Sequence, residues 1–176
     1  QTDEVETNTN LYASLVQDNT HSYLYHWTGQ IGGAGTNRRA GIHFFCDDAT
    51  QNQRGNSYMV YFRTDNDKCQ IYSALANSIT IQTDDDVVVD PNITYDFKVL
   101  HNATSGLIQV YLDDNLVSSW TDPAPLTSAN SISLRTGNCT AIYDNMHVYK
   151  SRNATETITI GNSNADIRFQ NSNPSS

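Results

Sequence analysis

The 176-residue chain is predicted to fold as an all-β, antiparallel two-sheet sandwich, and three observations carry that prediction. The first is composition: 16 Asp, 19 Asn, 19 Thr and 16 Ser stand against 3 Glu and 3 Lys, so turn and cap formers displace the good helix formers. The second is a series of short aromatic and β-branched runs, separated by turn clusters about every 8–12 residues. The third is that no segment needs a helical period to explain it, which excludes a helical bundle and argues against a βαβ fold.

The elements follow in order. Leu11 to Val16 alternates weakly, and Ser22 to Trp27 (SYLYHW) is a half-buried, aromatic-rich strand. Gly29 to Arg39 (GQIGGAGTNRR) lacks the G-K-[ST] of a phosphate loop and has no helix after it, so a flexible or bulged hairpin is expected there. Ala40 to Asp47 (AGIHFFCD) and Ser57 to Thr64 (SYMVYFRT) are the strongest strands, and Lys68 to Leu75 continues them as a meander across Asp65-Asn66-Asp67. Ile79 to Gln82 is a short strand, and Asp84 to Asp86 leads into another at Val87 to Val89. Tyr95 to His101 and Leu107 to Leu112 flank a hairpin loop ending in Gly106. Leu116 to Trp120, Ser131 to Arg135 and Ala141 to Tyr149 complete the set. The sandwich is assigned to residues 1–151. Residues 152–176 read as a polar tail, a linker or the start of a following segment, with one alternating stretch at Thr155 to Ile160.

The formal charge of −9 argues against nucleic acid and anionic membranes as partners, since both require clustered cations. No apolar run approaches the ~20 residues of a membrane-crossing helix. Nothing at Gln1 resembles a signal peptide, so the chain reads as mature or as cut from something larger. Cys46, Cys69 and Cys139 leave two readings open: one bridge plus a free thiol, or three buried thiols. The asparagine-rich, lysine-poor composition suits a secreted or cell-surface location.

Two segments carry a family resemblance. Tyr95 to Trp120 (YDFKVLHNATSGLIQVYLDDNLVSSW) resembles the penultimate hairpin of concanavalin A-like jelly rolls of the laminin-G and laminarinase types. Ile132 to Tyr149 (ISLRTGNCTAIYDNMHVY) resembles their final strand, where an Asp precedes a V-x-V-Y-like ending. Gly32 to Tyr149 as a whole is similar to lectin-like modules of large secreted bacterial proteins. The resemblance implies a concanavalin A-like jelly-roll β-sandwich and says little about ligand, because this fold hosts lectins, glycosidases, lyases and spacers.

Catalysis finds little support in the residues. Glutamate occurs only at positions 4, 6 and 156, so the paired carboxylates of a glycosidase are missing from the central strands. The Gln-x-His and Tyr-x-Lys pattern of jelly-roll lyases and the G-x-S-x-G elbow are also absent. Cys69, the one exposed-looking thiol, has no nearby His. The five histidines are scattered without zinc spacing. Most aspartates are explained as turn residues. Asp144 is the exception, since strict alternation puts it on one face with Ile142, Met146 and Val148, where a carboxylate must be paired, hydrogen-bonded or metal-bound. In laminarinase-type relatives the matching Asp helps hold a structural calcium. The resemblance therefore implies calcium at Asp144 with Glu4 and Glu6 as partners, against the alternative of a hydrogen-bonded structural Asp.

Sugars are recognised by aromatic faces together with planar polar side chains. Alternation puts Tyr23, Tyr25 and Trp27 on one strand face, and Gly41, His43, Phe45 and Asp47 on another. His43, Tyr61, Arg63, Gln70 and Tyr72 are expected to line a solvent-facing sheet, with Trp27 as a further contact. Packing is the alternative reading of the same aromatics. Arg38 and Arg39 either contact an acidic ligand or pair with the many aspartates. The leading functional expectation is a non-catalytic module that binds carbohydrate or cell-wall polymer in adhesion or targeting. A structural or assembly subunit, homo-oligomeric through the same sandwich, is the second expectation, and a glycan hydrolase or lyase the third.

Overall fold

The computed structural model describes residues 2–3 and 9–152. Among these residues every regular element is a strand: β1 (Thr2–Asp3), β2 (Thr9–Asp18), β3 (Ser22–Gly32), β4 (Arg39–Cys46), β5 (Ser57–Arg63), β6 (Lys68–Leu75), β7 (Ser78–Asp86), β8 (Tyr95–Asn102), β9 (Leu107–Leu112), β10 (Asn115–Thr121), β11 (Ser128–Gly137) and β12 (Cys139–Lys150). They form two six-stranded antiparallel sheets, in the orders β1-β12-β3-β8-β9-β10 and β2-β11-β4-β5-β6-β7. The chain crosses between sheets at β1–β2, β2–β3, β3–β4, β7–β8, β10–β11 and β11–β12, which makes a jelly-roll sandwich.

The two inner faces are packed with rings. Trp27 is 2% exposed and stacks on Phe97 at 5.2 Å, and Phe97 in turn meets Phe62 from the opposite sheet at 4.7 Å. Tyr25 meets Phe44 at 4.8 Å. Burying each such ring stabilises the fold by roughly 1.5–3 kcal/mol. Trp27 is therefore a core residue rather than the ligand contact expected from the sequence. Tyr23 and Tyr25 share its inward face.

Three local expectations are corrected. The hairpin expected at Gly29 to Arg39 is not formed: Gly29 to Gly32 belong to β3, and the chain then crosses to β4 in the other sheet. Gly29 lies between Tyr143 and Tyr95 in the neighbouring strands, and a Cβ there would run into the carbonyl oxygen of Ile142. The glycine thus permits close strand approach. Asp84 to Asp86 end β7, because Lys68 across the ladder lies 2.6 Å from Asp86 and 3.9 Å from Asp84, and Val87 to Val89 are not a strand. Strict alternation also fails at Phe45, whose φ of 53° turns its ring inward beside Phe44, away from the face of His43.

The same failure moves Asp144. The β12–β3 register shifts between Asp144 and His147, and Asn145 sits at φ 51°. Tyr143, Met146 and Val148 consequently pack on the core, while Ile142 and Asp144 are exposed. Asp144 accepts the amide N–H of Asn145 at 2.8 Å, an ordinary turn role. Cys46, Cys69 and Cys139 are all buried and form no disulfide, which resolves the two cysteine readings in favour of three thiols and removes Cys69 as an exposed one. Glu4, Glu6 and Thr155 to Ile160 lie outside the described residues.

Candidate functional site

The outer face of the second sheet is built by alternation along β4, β5 and β6. In register, His43 faces Met59, Met59 faces Tyr72, and Tyr61 faces Gln70. His43, Tyr61, Arg63, Gln70 and Tyr72 therefore share one face, as the sequence pattern predicts. Their exposure differs from the expectation. His43 is fully buried, Tyr61 is 4% and Gln70 6% exposed, while Arg63 and Tyr72 are half-buried.

Arginines cover the middle of the face. β11 pairs with β4 and sets Arg135 opposite Gly41. From there the guanidinium reaches His43 Nε2 at 3.1 Å and Gln53 Oε1. Arg135 and Arg39 lie 5.8 and 5.9 Å from the centroid of the Tyr61 ring. Arg54, from the loop after β4, is fully buried and donates to Ser133 Oγ at 3.1 Å. Burial, together with the nearby charge of Arg135, pushes the Arg54 pKa down to about 10. Four of the seven arginines (Arg39, Arg54, Arg63 and Arg135) thus belong to one face of a chain whose formal charge is −9.

The accessible margin is organised by hydrogen bonds. Tyr72 donates to Gln70 Oε1 at 2.9 Å, and Gln70 Nε2 donates to Asp84 at 2.8 Å. Arg63 Nη2 bonds Asn37 at 2.9 Å and Asp65 at 3.1 Å. The edge of the Tyr61 ring meets Tyr72 at 6.2 Å. Such a surface offers planar donors and acceptors, plus one ring partly open to solvent, the combination that grips hydroxyl-rich or acidic groups.

His43 and Ser57 form the nearest thing to a nucleophile–base pair, at 3.1 Å. Ser57 is fully buried and its hydroxyl donates to the carbonyl of Gln53 at 3.0 Å, so the pair is a structural relay and cannot present Oγ to a substrate. No group of three His, Cys, Asp or Glu side chains among the described residues is placed to hold a metal ion. Asp144 is an exposed carboxylate, and its expected partners Glu4 and Glu6 lie outside the described residues.

Comparison with known proteins places the fold. No family model matches the chain, and no curated protein matches it. Solved structures do. The carbohydrate-binding module CBM66 from Bacillus subtilis aligns over 84% of this chain and 83% of its own, with a TM-score of 0.69 and 16% identity. Sheep galectin-11, solved with glycerol, aligns over 79% and 96% (TM-score 0.61, 11% identity). A toad ovary galectin, solved with thio-digalactose, aligns over 78% and 98% (TM-score 0.55, 14% identity). The chain has the galectin-like jelly-roll fold.

Arg135 and Arg54 were not found by sequence reasoning. Arg135 lies 92 residues from His43 and reaches it only because β11 returns beside β4. Arg54 sits in a polar loop, and its one local mark is the Arg-Gly pair with positive φ at both residues (62° and 67°).

Proposed function

We propose that the protein is a non-catalytic carbohydrate-binding module acting through the outer face of β4, β5, β6 and β11, in adhesion or targeting at a cell surface or outside the cell. The observation that carries this reading is the arrangement of Arg39, Arg63 and Arg135 with Tyr61, Gln70 and Tyr72 on one sheet face. Guanidiniums and a glutamine supply directional donors to sugar hydroxyls, and the partly open Tyr72 ring supplies an apolar contact. The likeness in fold to a carbohydrate-binding module and to galectins supports the same reading. The arginines further favour glycans that carry a carboxylate or sulfate over neutral ones. No step depends on calcium.

The test is an array of neutral and acidic glycans and cell-wall polymers, probed with the parent and with Tyr72→Ala and Arg63→Ala. Binding should fall at least tenfold in both variants, and more steeply with salt for acidic glycans. Folded protein that binds nothing on the array sinks the reading.

A further inference from the structure

A separate cleft of about 270 Å³ opens at one end of the sandwich, between the edge strands β7 and β10 and the segment 122–126. We propose that this cleft is a second ligand site, which takes one neutral hexose ring, either a free monosaccharide or the end of an oligosaccharide chain. Its wall joins the half-buried Trp120 to Gln82, Ser73 and Asp122. An aromatic ring beside planar amide and carboxylate groups is the combination by which proteins hold a sugar ring.

The polar groups retain bonding capacity. Gln82 donates one N–H to Ser73 Oγ at 3.0 Å, and its side chain carries a second N–H and a carbonyl. Asp122 accepts Tyr58 OH at 2.8 Å and the N–H of Ala124 at 2.9 Å, one on each oxygen, and each oxygen has a further lone pair for a hydroxyl donor. The size lies just below the ~300–1,000 Å³ of typical small-molecule sites, which suits one ring and excludes a longer segment. The lining has one carboxylate and no cation, so an acidic sugar is disfavoured, in contrast to the arginine-rich outer face.

The cleft is also held open before any ligand arrives. Ser118 on β10 donates to Asp85 on β7 at 2.6 Å and lies 2.8 Å from Thr83 Oγ1, so the two sheet edges are tied beside Gln82 and Trp120. Tyr58 OH accepts the N–H of Leu126 at 2.9 Å and fixes the 122–126 segment. Its ring meets Trp120 at 6.2 Å and 66° and sets the indole orientation. A preformed site loses less entropy on binding than one that must be ordered.

The chain's two tryptophans make the test direct, since Trp27 is buried in the core. Galactose, glucose, mannose, fructose and their methyl glycosides are titrated while the two indole N–H signals are followed by NMR. The Trp120 signal should move saturably with at least one sugar and the Trp27 signal should stay. Gln82→Ala, at a half-exposed position that should not disturb folding, should weaken that sugar at least tenfold, and glucuronate should bind less well than glucose. Tyr72→Ala should leave the titration unchanged, which separates this site from the outer face. The proposal is overturned if no sugar moves the Trp120 signal, or if Gln82→Ala binds as the parent does.

Discussion

Arg135 donates to Nε2 of His43 at 3.1 Å, and this contact fixes the state of the imidazole. A guanidinium has no acceptor, so Nε2 must be unprotonated and Nδ1 carries the hydrogen toward Ser57 Oγ at 3.1 Å. Burial, then the charges of Arg135 and Arg54, holds the His43 pKa well below the usual histidine value. Nitrogen NMR should therefore show a neutral Nδ1–H tautomer that does not titrate between pH 8 and 5. An imidazolium at pH 6 would contradict the contact.

His101 should make the fold acid-sensitive. Its ring is enclosed by Phe44, Phe45 and Tyr58 at 4.8–5.4 Å, makes no hydrogen bond to protein, and burial pushes its pKa down to about 3. The unfolded histidine titrates near 6.5. Below that value the unfolded state binds the proton that the native state refuses, so stability is full above about pH 6.5 and falls continuously toward pH 3. By pH 5 the loss from this group is about 2 kcal/mol, with His43 adding in the same direction. His101→Leu should be within about 1 kcal/mol of the parent at pH 7.5, since it removes two unpaired buried nitrogens. In denaturant melts it should lose about 2 kcal/mol less than the parent between pH 7.5 and 5. Equal losses would mean that His101 is protonated in the native state.

Residues whose environment is set by their own strand were legible in the sequence. The β4–β5–β6 meander alternates regularly, so the shared face of His43, Tyr61, Arg63, Gln70 and Tyr72 follows from spacing two. Inside and outside were harder to tell apart for Trp27, because aromatic packing and aromatic recognition leave the same pattern in a strand. Single positive-φ residues cost the most. Phe45 and Asn145 each break the alternation behind them, which put Phe45 on the wrong face and Asp144 in an apolar setting that it does not occupy. The cover over His43 depends on β11 lying beside β4, a pairing set by the fold and not by local pattern.

The three thiols should be silent in the native state. Each is buried and outside any disulfide, and burial raises the pKa of Cys46 and Cys69, so the reactive thiolate is scarce. A thiol reagent such as DTNB at pH 8 should titrate none of the three in native protein over minutes and all three in strong denaturant. Rapid labelling of one native thiol would show a cysteine at the surface.

Lys98 tests how far a buried cation organises the outer face of the first sheet. It is 2% exposed and bonds Asp96 at 2.8 Å and Asp114 at 2.5 Å, while the other oxygen of Asp96 lies 2.6 Å from His26. Burial opposes the charge on Lys98, but its bonds to Asp114 and Asp96 outweigh that and raise its pKa. Removing the amine with Lys98→Met preserves the apolar stem and leaves two neighbouring carboxylates without their shared cation. Breaking a fully buried pair costs ~3–5 kcal/mol, but Asp96 and Asp114 keep 33% and 27% of their side-chain surface, so about 2–3 kcal/mol is expected here. Adding Asp114→Asn should recover part of that loss in denaturant melts, because one uncompensated charge is gone. If the double variant is no more stable than Lys98→Met, the cost arises from repacking around the Met side chain and not from the carboxylates.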